Sequence, residues 1–323
     1  MRLPMTRWFA ALLALLLWLP VGGAARAQTC TGSMPTVDFG TLSTGSGNPA
    51  DVNATLSISC TGFATPYVRL CVGLGTAGSP SYDTRALTGS QPVKLNYNLY
   101  QDANRSVVFA SVYDSQQRYV SVNLALSGGA GSTQVPVYGR VLGGQTSAPA
   151  DTYSTTFATG DTLIDAIGYT ASPPVCTTTL SNAARWTFVV RAVVGTTCSL
   201  SAANIDFGQL GVLTEAVNTT GVISTTCTNG APYSLALNAG SSAGATVNSR
   251  KLTRSGGSDT LAYSLYRDAG RTQIWGDGTS GTSTVSVTGS GQTQTATVYA
   301  TLPAQASKPV GTYSDTITVT VTF

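Results

Sequence analysis

The stretch Gly311-Thr-Tyr-Ser-Asp-Thr-Ile-Thr-Val-Thr-Val-Thr-Phe323 decides how the chain is read. Ile317, Val319, Val321 and Phe323 fall on one face and Thr318, Thr320 and Thr322 on the other, the period of two of a half-buried β-strand. A similar stretch, DTYSTTFATG from Asp151, occurs earlier, but there the chain continues and writes a further strand, RWTFVVRAVV from Arg185. One copy of a unit therefore has a strand that the other lacks.

The repeat extends over most of the chain. Cys30 stands eight residues before Asp38 in VDFG, and Cys198 eight residues before Asp206 in IDFG. LNYNLYQDANRS from Leu95 answers LAYSLYRDAGRT from Leu261, VYGRVL from Val137 answers VYATL from Val298, and PADTYSTTF from Pro149 answers PVGTYSDTI from Pro309. The order is kept while the offset drifts, as loop-length changes cause. Apolar runs are short, rich in Val, Thr and Tyr, and punctuated by Gly, Ser, Asn and Pro, with no helical period after residue 27. This pattern predicts all-β sandwiches, two in tandem, over residues 28–195 and 196–323. In the first, strands are expected from about Val37, over Asn53–Cys60, Tyr67–Gly73, Leu95–Tyr100, Val135–Leu142, Tyr153–Phe157 and Trp186–Val193. The second supplies the same elements only as far as Thr312–Phe323, so its last strand is missing.

The first residues carry Arg2 and Arg7, an apolar run from Trp8 to Leu19, and Ala25-Arg26-Ala27. They read as a secretory signal peptide, residues 1–27, cleaved before Gln28. The run is short of the roughly 20 residues of a membrane span, and the residues before Cys30 do not fit a lipid anchor. Cleavage takes Arg2, Arg7 and Arg26, leaving 14 basic residues against 14 acidic. A neutral mature chain has no electrostatic footprint for nucleic acid or anionic membrane. Six cysteines in an exported chain argue for disulfides. Six allow fifteen pairings, and the duplication selects Cys30 with Cys60 and Cys198 with Cys227, leaving Cys71 for Cys176.

Chemistry for catalysis is sparse. The chain has no histidine and one glutamate, Glu215, so the commonest general base and zinc ligand are missing. Asp38 and Asp206 occupy equivalent places, which favours a turn hydrogen bond over catalysis. Gly73-Leu-Gly-Thr-Ala-Gly78 fits a dinucleotide fingerprint, but Pro80 and the absence of a helical period make it a glycine-rich loop. No cofactor, metal or enzymatic activity is expected.

The Cys-x7-Asp-Phe-Gly opening, the Tyr-x-Leu-Tyr-x-Asp block and the alternating ending together resemble the spore coat protein U domain of bacterial secreted pilins. With two such domains, the chain resembles tip adhesins of archaic, Csu-type chaperone-usher pili. The resemblance implies incomplete immunoglobulin-like pilin domains assembled with a periplasmic chaperone, an outer-membrane usher and a strand donated by the next pilin subunit. It implies export through the periplasm to a pilus tip and a role in surface attachment and biofilm formation, on an abiotic or host surface. A sandwich without its last strand leaves an open edge and an unfilled groove, expected to be lined by Ile317, Val319, Val321 and Phe323. Only Gln28 and Thr29 would precede Cys30 after cleavage, too few to donate a strand, which points to a fibre end. Strand parity places adhesive loops at the pole away from the second domain, with Phe63, Tyr113, Tyr119, Leu163, Ile164, Ile167 and Tyr169 as candidates. A shaft or minor pilin, and a secreted binding module that assembles with nothing, are the alternatives.

Overall fold

A computed structural model describes residues 27–44 and 47–323; all but the last residue of the expected signal peptide lies outside them. Among the described residues there is no α-helix and none long and apolar enough to cross a membrane. The strands of the first half are β1 Thr29–Ser33, β2 Val37–Leu42, β3 Ala50–Thr61, β4 Tyr67–Leu74, β5 Arg85–Thr88, β6 Lys94–Tyr100, β7 Val120–Ala125, β8 Gly131–Val141, β9 Asp151–Phe157, β10 Thr162–Tyr169, β11 Ala183–Ala184 and β12 Phe188–Val194. The second half has β13 Cys198–Ala202, β14 Val217–Cys227, β15 Pro232–Leu237, β16 Arg250–Arg254, β17 Thr260–Tyr266, β18 Val285–Thr288, β19 Thr293–Leu302, β20 Tyr313–Ser314 and β21 Val319–Thr322.

Alternation puts the cores where they are. In β3, Leu56, Ile58 and Cys60 are buried while Thr55, Ser57 and Ser59 face solvent; in β12, Phe188, Val190, Ala192 and Val194 point inward. The first half forms an eight-stranded sheet, β1-β3-β8-β6-β5-β9-β12-β2, and a four-stranded one, β11-β10-β4-β7. The second forms sheets β13-β14-β19-β17-β16-β20 and β18-β15-β21. Each half has its own hydrophobic cluster. Matching the sheet orders, β13, β14, β19, β17, β16 and β20 stand for β1, β3, β8, β6, β5 and β9. No strand of the second half stands for β12 or β2.

In the first half β12 lies between two partners, antiparallel to β9 and parallel to β2. It pairs Phe188 with Phe157 and Val194 with Asp151, and the Phe157 and Phe188 rings stack at 4.4 Å. Tyr153 Oη donates to the Pro149 carbonyl at 3.0 Å, and Tyr313 Oη to that of Pro309 at 2.7 Å, the tyrosine corner of such sandwiches. Asp38 and Asp206 serve turns: each accepts from the backbone N–H two residues on, Gly40 or Gly208, at 2.8 Å. Those glycines have φ of 69° and 77°, which a side chain would resist.

Each half also holds one fully buried arginine. Arg85 donates to the carbonyls of Leu74, Gly75 and Phe109 and to Asn98 Oδ1. Arg250 donates to those of Leu237, Asn238 and Trp275, and its Nη1 has no partner. No carboxylate pairs with either, and burial pulls the Arg85 guanidinium down to about 10. Three disulfides are formed: Cys30–Cys60 and Cys198–Cys227, each across a directly facing strand pair, and Cys71–Cys176 within the first half.

Three of the adhesive-loop candidates are core residues instead. Leu163 and Ile164 lie on β10, which pairs with β4 along its whole length, and are 2% and 0% exposed. Strand parity predicts a loop for this segment, and Asp165 and Gly168 interrupt its apolar run. Both faces of β10 are covered, so no period of two shows. The buried Asp165 accepts from the backbone N–H groups of Ser181 and Asn182, both at 2.8 Å. Phe63 is 4% exposed in the main cluster. Tyr119 and Ile167 are half-buried against a smaller cluster around the Cys71–Cys176 bridge.

Candidate functional site

The space that β12 fills in the first half is open in the second. It forms a groove of about 1180 Å³. Its floor is the core: Ile223, Leu237, Tyr263, Leu265, Val298 and Leu302. One wall is the segment Gly311–Ile317, with β20 held on one side only, by β16. The other is Asn204–Leu213, which includes the repeat of β2 but forms no strand, since its parallel partner is absent. Tyr153 is fully buried under β12, whereas its counterpart Tyr313 is only half-buried at the groove.

Of the four residues expected here, Ile317 and Val319 line the groove; Val321 packs on the core but is not at the groove, and Phe323 is 57% exposed. The reason is a change of sheet. The chain leaves β16 after Ser314 and joins β15 as β21, pairing Val319 with Leu237 and Val321 with Leu235, which carries its end into the three-stranded sheet. Residues that the alternation did not expose as lining are Leu210, Val212, Val222 and Val310, all exposed apolar side chains along the groove. Exposed apolar residues gathered in one place mark an interaction surface. Asp315, also lining it, accepts from Ser241 N–H at 2.7 Å and from Tyr263 Oη at 2.7 Å, so this carboxylate is committed to local hydrogen bonds. Burial, first, and this bond together push the Tyr263 phenol far above its usual range.

The ends of the first sandwich can be told apart by its bonds. Leu42, Gly47, Val141, Gly144 and Val194 share the end next to the second half, through Gly195 N–H to Leu42 O and Gly144 N–H to Gly47 O. Thr61, Gly131 and the facing pair Tyr67–Tyr169 mark the other end. There Tyr169 stacks on Tyr67, centroids 5.4 Å apart and planes at 23°, with Tyr67 41% exposed. Tyr113 is exposed, but it sits in the long loop after β6 that folds back along the sheet, with Leu74 N–H bonded to Ala110 O. Of the loop candidates, then, only Tyr169 is brought to the far end as a partly exposed side chain, and Tyr67 was missed because it opens a strand. Gly73–Gly78 forms the end of β4 and the turn after it, with no helix to hold a phosphate. Among the described residues no group of His, Cys, Asp or Glu could hold a metal ion.

Protein U of Myxococcus xanthus is 39% identical over 79 residues, 24% of this chain and 43% of that protein, so the chain spans less than half of that relative. A chain of the complex described as the CsuC-CsuE chaperone-tip adhesion subunit pre-assembly complex, from archaic chaperone-usher Csu pili of Acinetobacter baumannii, shares the fold. Its TM-score is 0.55 at 18% identity, covering 91% of this chain and all of that one. The sequence pattern of the Spore Coat Protein U domain matches twice, over residues 18–159 and 184–320, and the chain belongs to that family.

Proposed function

We propose that this protein is an exported adhesin subunit of a chaperone-usher pilus, carried at the fibre tip. Residues 28–195 form an adhesive domain and residues 196–323 a pilin domain that joins the fibre by donor-strand complementation. The observation that carries this reading is the contrast between the two halves: one groove closed by its own β12, the other open, floored by apolar core residues and flanked by an unpaired edge. An open edge beside an unfilled core is the arrangement that strand addition completes. Its partners are a periplasmic chaperone that holds the groove before assembly, an outer-membrane usher, and the next pilin subunit as lasting strand donor. The Csu likeness in fold supports the chaperone. The protein acts by binding, not catalysis.

Attachment belongs to the end of the first sandwich farthest from the fibre, where the Tyr67–Tyr169 stack stands at the surface. With 14 basic and 14 acidic residues after residue 27, contact there rests on apolar burial, worth about 25 cal/mol per Å², and contributes to biofilm formation on abiotic or host surfaces. Mass spectrometry of fibres sheared from cells that export the chain tests this. The account expects the chain at far lower stoichiometry than the main pilin and beginning at Gln28. A chain absent from fibres, or present as their main component, refutes the assignment.

A further inference from the structure

In the first half, strand β12 fills a groove and runs through Gly195–Thr197 directly into the second half, which begins its first strand at Cys198. If grooves are completed by strands from neighbours, as proposed above, this junction has the form of a subunit junction already made within one chain. Its contacts outside the groove then describe the next junction as well. Thr228 Oγ1 donates to Gly195 O at 3.1 Å, Ser43 Oγ meets Thr197 Oγ1 at 3.1 Å, Asn229 Nδ2 donates to Ser147 O at 2.8 Å, and Gln292 Nε2 to Thr146 Oγ1 at 2.5 Å. Gly291 lies so close to the Thr146 carbonyl that a Cβ would fall within 1.9 Å of it. The bodies, not only the strand, are in contact.

The matching end of the second half can be located by its own bonds. Gln145 Oε1 accepts Asn96 N–H and Gln305 Oε1 accepts Ala262 N–H, so Thr146, Ser147 and Ala148 correspond to Ala306, Ser307 and Lys308. From the Asp38 and Asp206 turns, Leu42, Ser43 and Thr44 correspond to Leu210, Gly211 and Val212. The Ser307 carbonyl is kept for a side-chain amide, while both hydroxyls used in the first junction, on Ser43 and Thr146, are gone. In their region stand Val212, 70% exposed, and Val310, 99% exposed.

We infer that Leu210, Val212, Ser307, Lys308 and Val310 form a second contact surface, against the body of the protein that delivers the strand. The partner this surface fits is a β-domain attached to its donor strand by a linker of about three residues, as here at Gly195–Thr197. It presents an amide-bearing loop like Asn229 and apolar loop residues to Val212 and Val310. Val212 and Val310 line the groove's mouth as well, so the test must separate the strand from the body behind it.

The full-length chain is offered a synthetic peptide of residues 186–195, Trp-Thr-Phe-Val-Val-Arg-Ala-Val-Val-Gly, which supplies a strand without a body. In parallel, retention of the chain on sheared fibres is measured through a urea series. Because both side chains also line the groove, peptide binding to Val212→Ser/Val310→Ser should weaken, and retention on fibres should fall at least about ten-fold more than peptide binding does. If peptide binding falls by the same factor as retention, these residues are groove lip alone and the inference fails. If neither changes, no second contact exists. If the wild-type chain neither binds the peptide nor is retained on fibres, the donor-strand reading fails and takes this one with it; peptide binding with variant-insensitive retention removes only the second surface.

Discussion

Asn98 is the residue on which the buried charge of the first half depends. Arg85 is fully buried, and its Nη1 has Asn98 Oδ1 at 2.6 Å as its partner; the remaining bonds go to three carbonyls. The second half shows the alternative: at the matching place stands Ser264, too short to reach, and Nη1 of Arg250 has no partner. Asn98→Ser recreates that state in the first half. A hydrogen bond to a charged group is worth about 1.5 to 3 kcal/mol, and leaving a buried charged donor unpaired costs at the upper end of this range. Adding the lost bond from Asn98 Nδ2 to Tyr82 O, we expect about 4 kcal/mol. For a unit of this size that lowers the melting temperature by about 8 to 16 °C. Scanning calorimetry of the full chain should show the shift in the first-half transition, with the second-half transition in place. Ser264→Asn should raise the latter. A first-half shift under about 2 °C would refute the role given to Asn98.

Removing the Cys71–Cys176 bridge, which spans 105 residues, should destabilise the first half by about 4 to 5 kcal/mol in a urea titration, and a loss under about 1 kcal/mol contradicts its structural role. Tyr67→Ser/Tyr169→Ser should reduce attachment of fibres to polystyrene several-fold with assembly intact, whereas Leu163→Ser/Ile164→Ser should unfold the first half, read by circular dichroism, since both side chains are core. Hydrogen bonds from Arg118 hold the Asp114 carboxyl below its usual range, and those from Arg140 do the same for Asp51. A carboxylate with a depressed folded pKa stabilises above its unfolded value, about 3.9, and loses that contribution as pH falls through the folded one. The melting temperature should therefore drop below about pH 4, and Asp114→Asn should be less stable at pH 7 but flatter on the acid side; an identical acid limb would contradict the pairing.

What the sequence revealed follows from physics that repeats along the chain. Alternation in Asn53–Cys60 and in Trp186–Val193 is visible because one face of each strand meets water. Duplication made the missing strand visible, since Asp151–Gly160 could be laid against Gly311–Phe323 and the remainder compared. β10 is illegible for the opposite reason: a strand covered on both faces carries no period, and a buried Asp165, whose Oδ1 accepts from two backbone N–H groups, looks like a loop residue. The groove's lining was half legible. Ile317 and Val319 keep the phase of the strand, but the crossing from one sheet to the other between Ser314 and Val319 could not be read from alternation. Leu210, Val212 and Val310 belong to segments with no strand period, and only the empty space beside them gives them meaning.

The central proposal is that the open groove of the second half takes up a strand from another protein. Hydrogen–deuterium exchange on the full chain tests it most directly, comparing residues 311–317 and 205–208 with their counterparts 151–157 and 37–40. With the chain alone, the account predicts fast exchange at 311–317 and 205–208 and strong protection in the first-half segments, where β12 pairs with both. Adding the peptide of residues 186–195 should slow exchange in the second-half segments to match. Protection at 311–317 equal to that at 151–157 before any strand is added would mean that the edge is already closed, and would contradict the account.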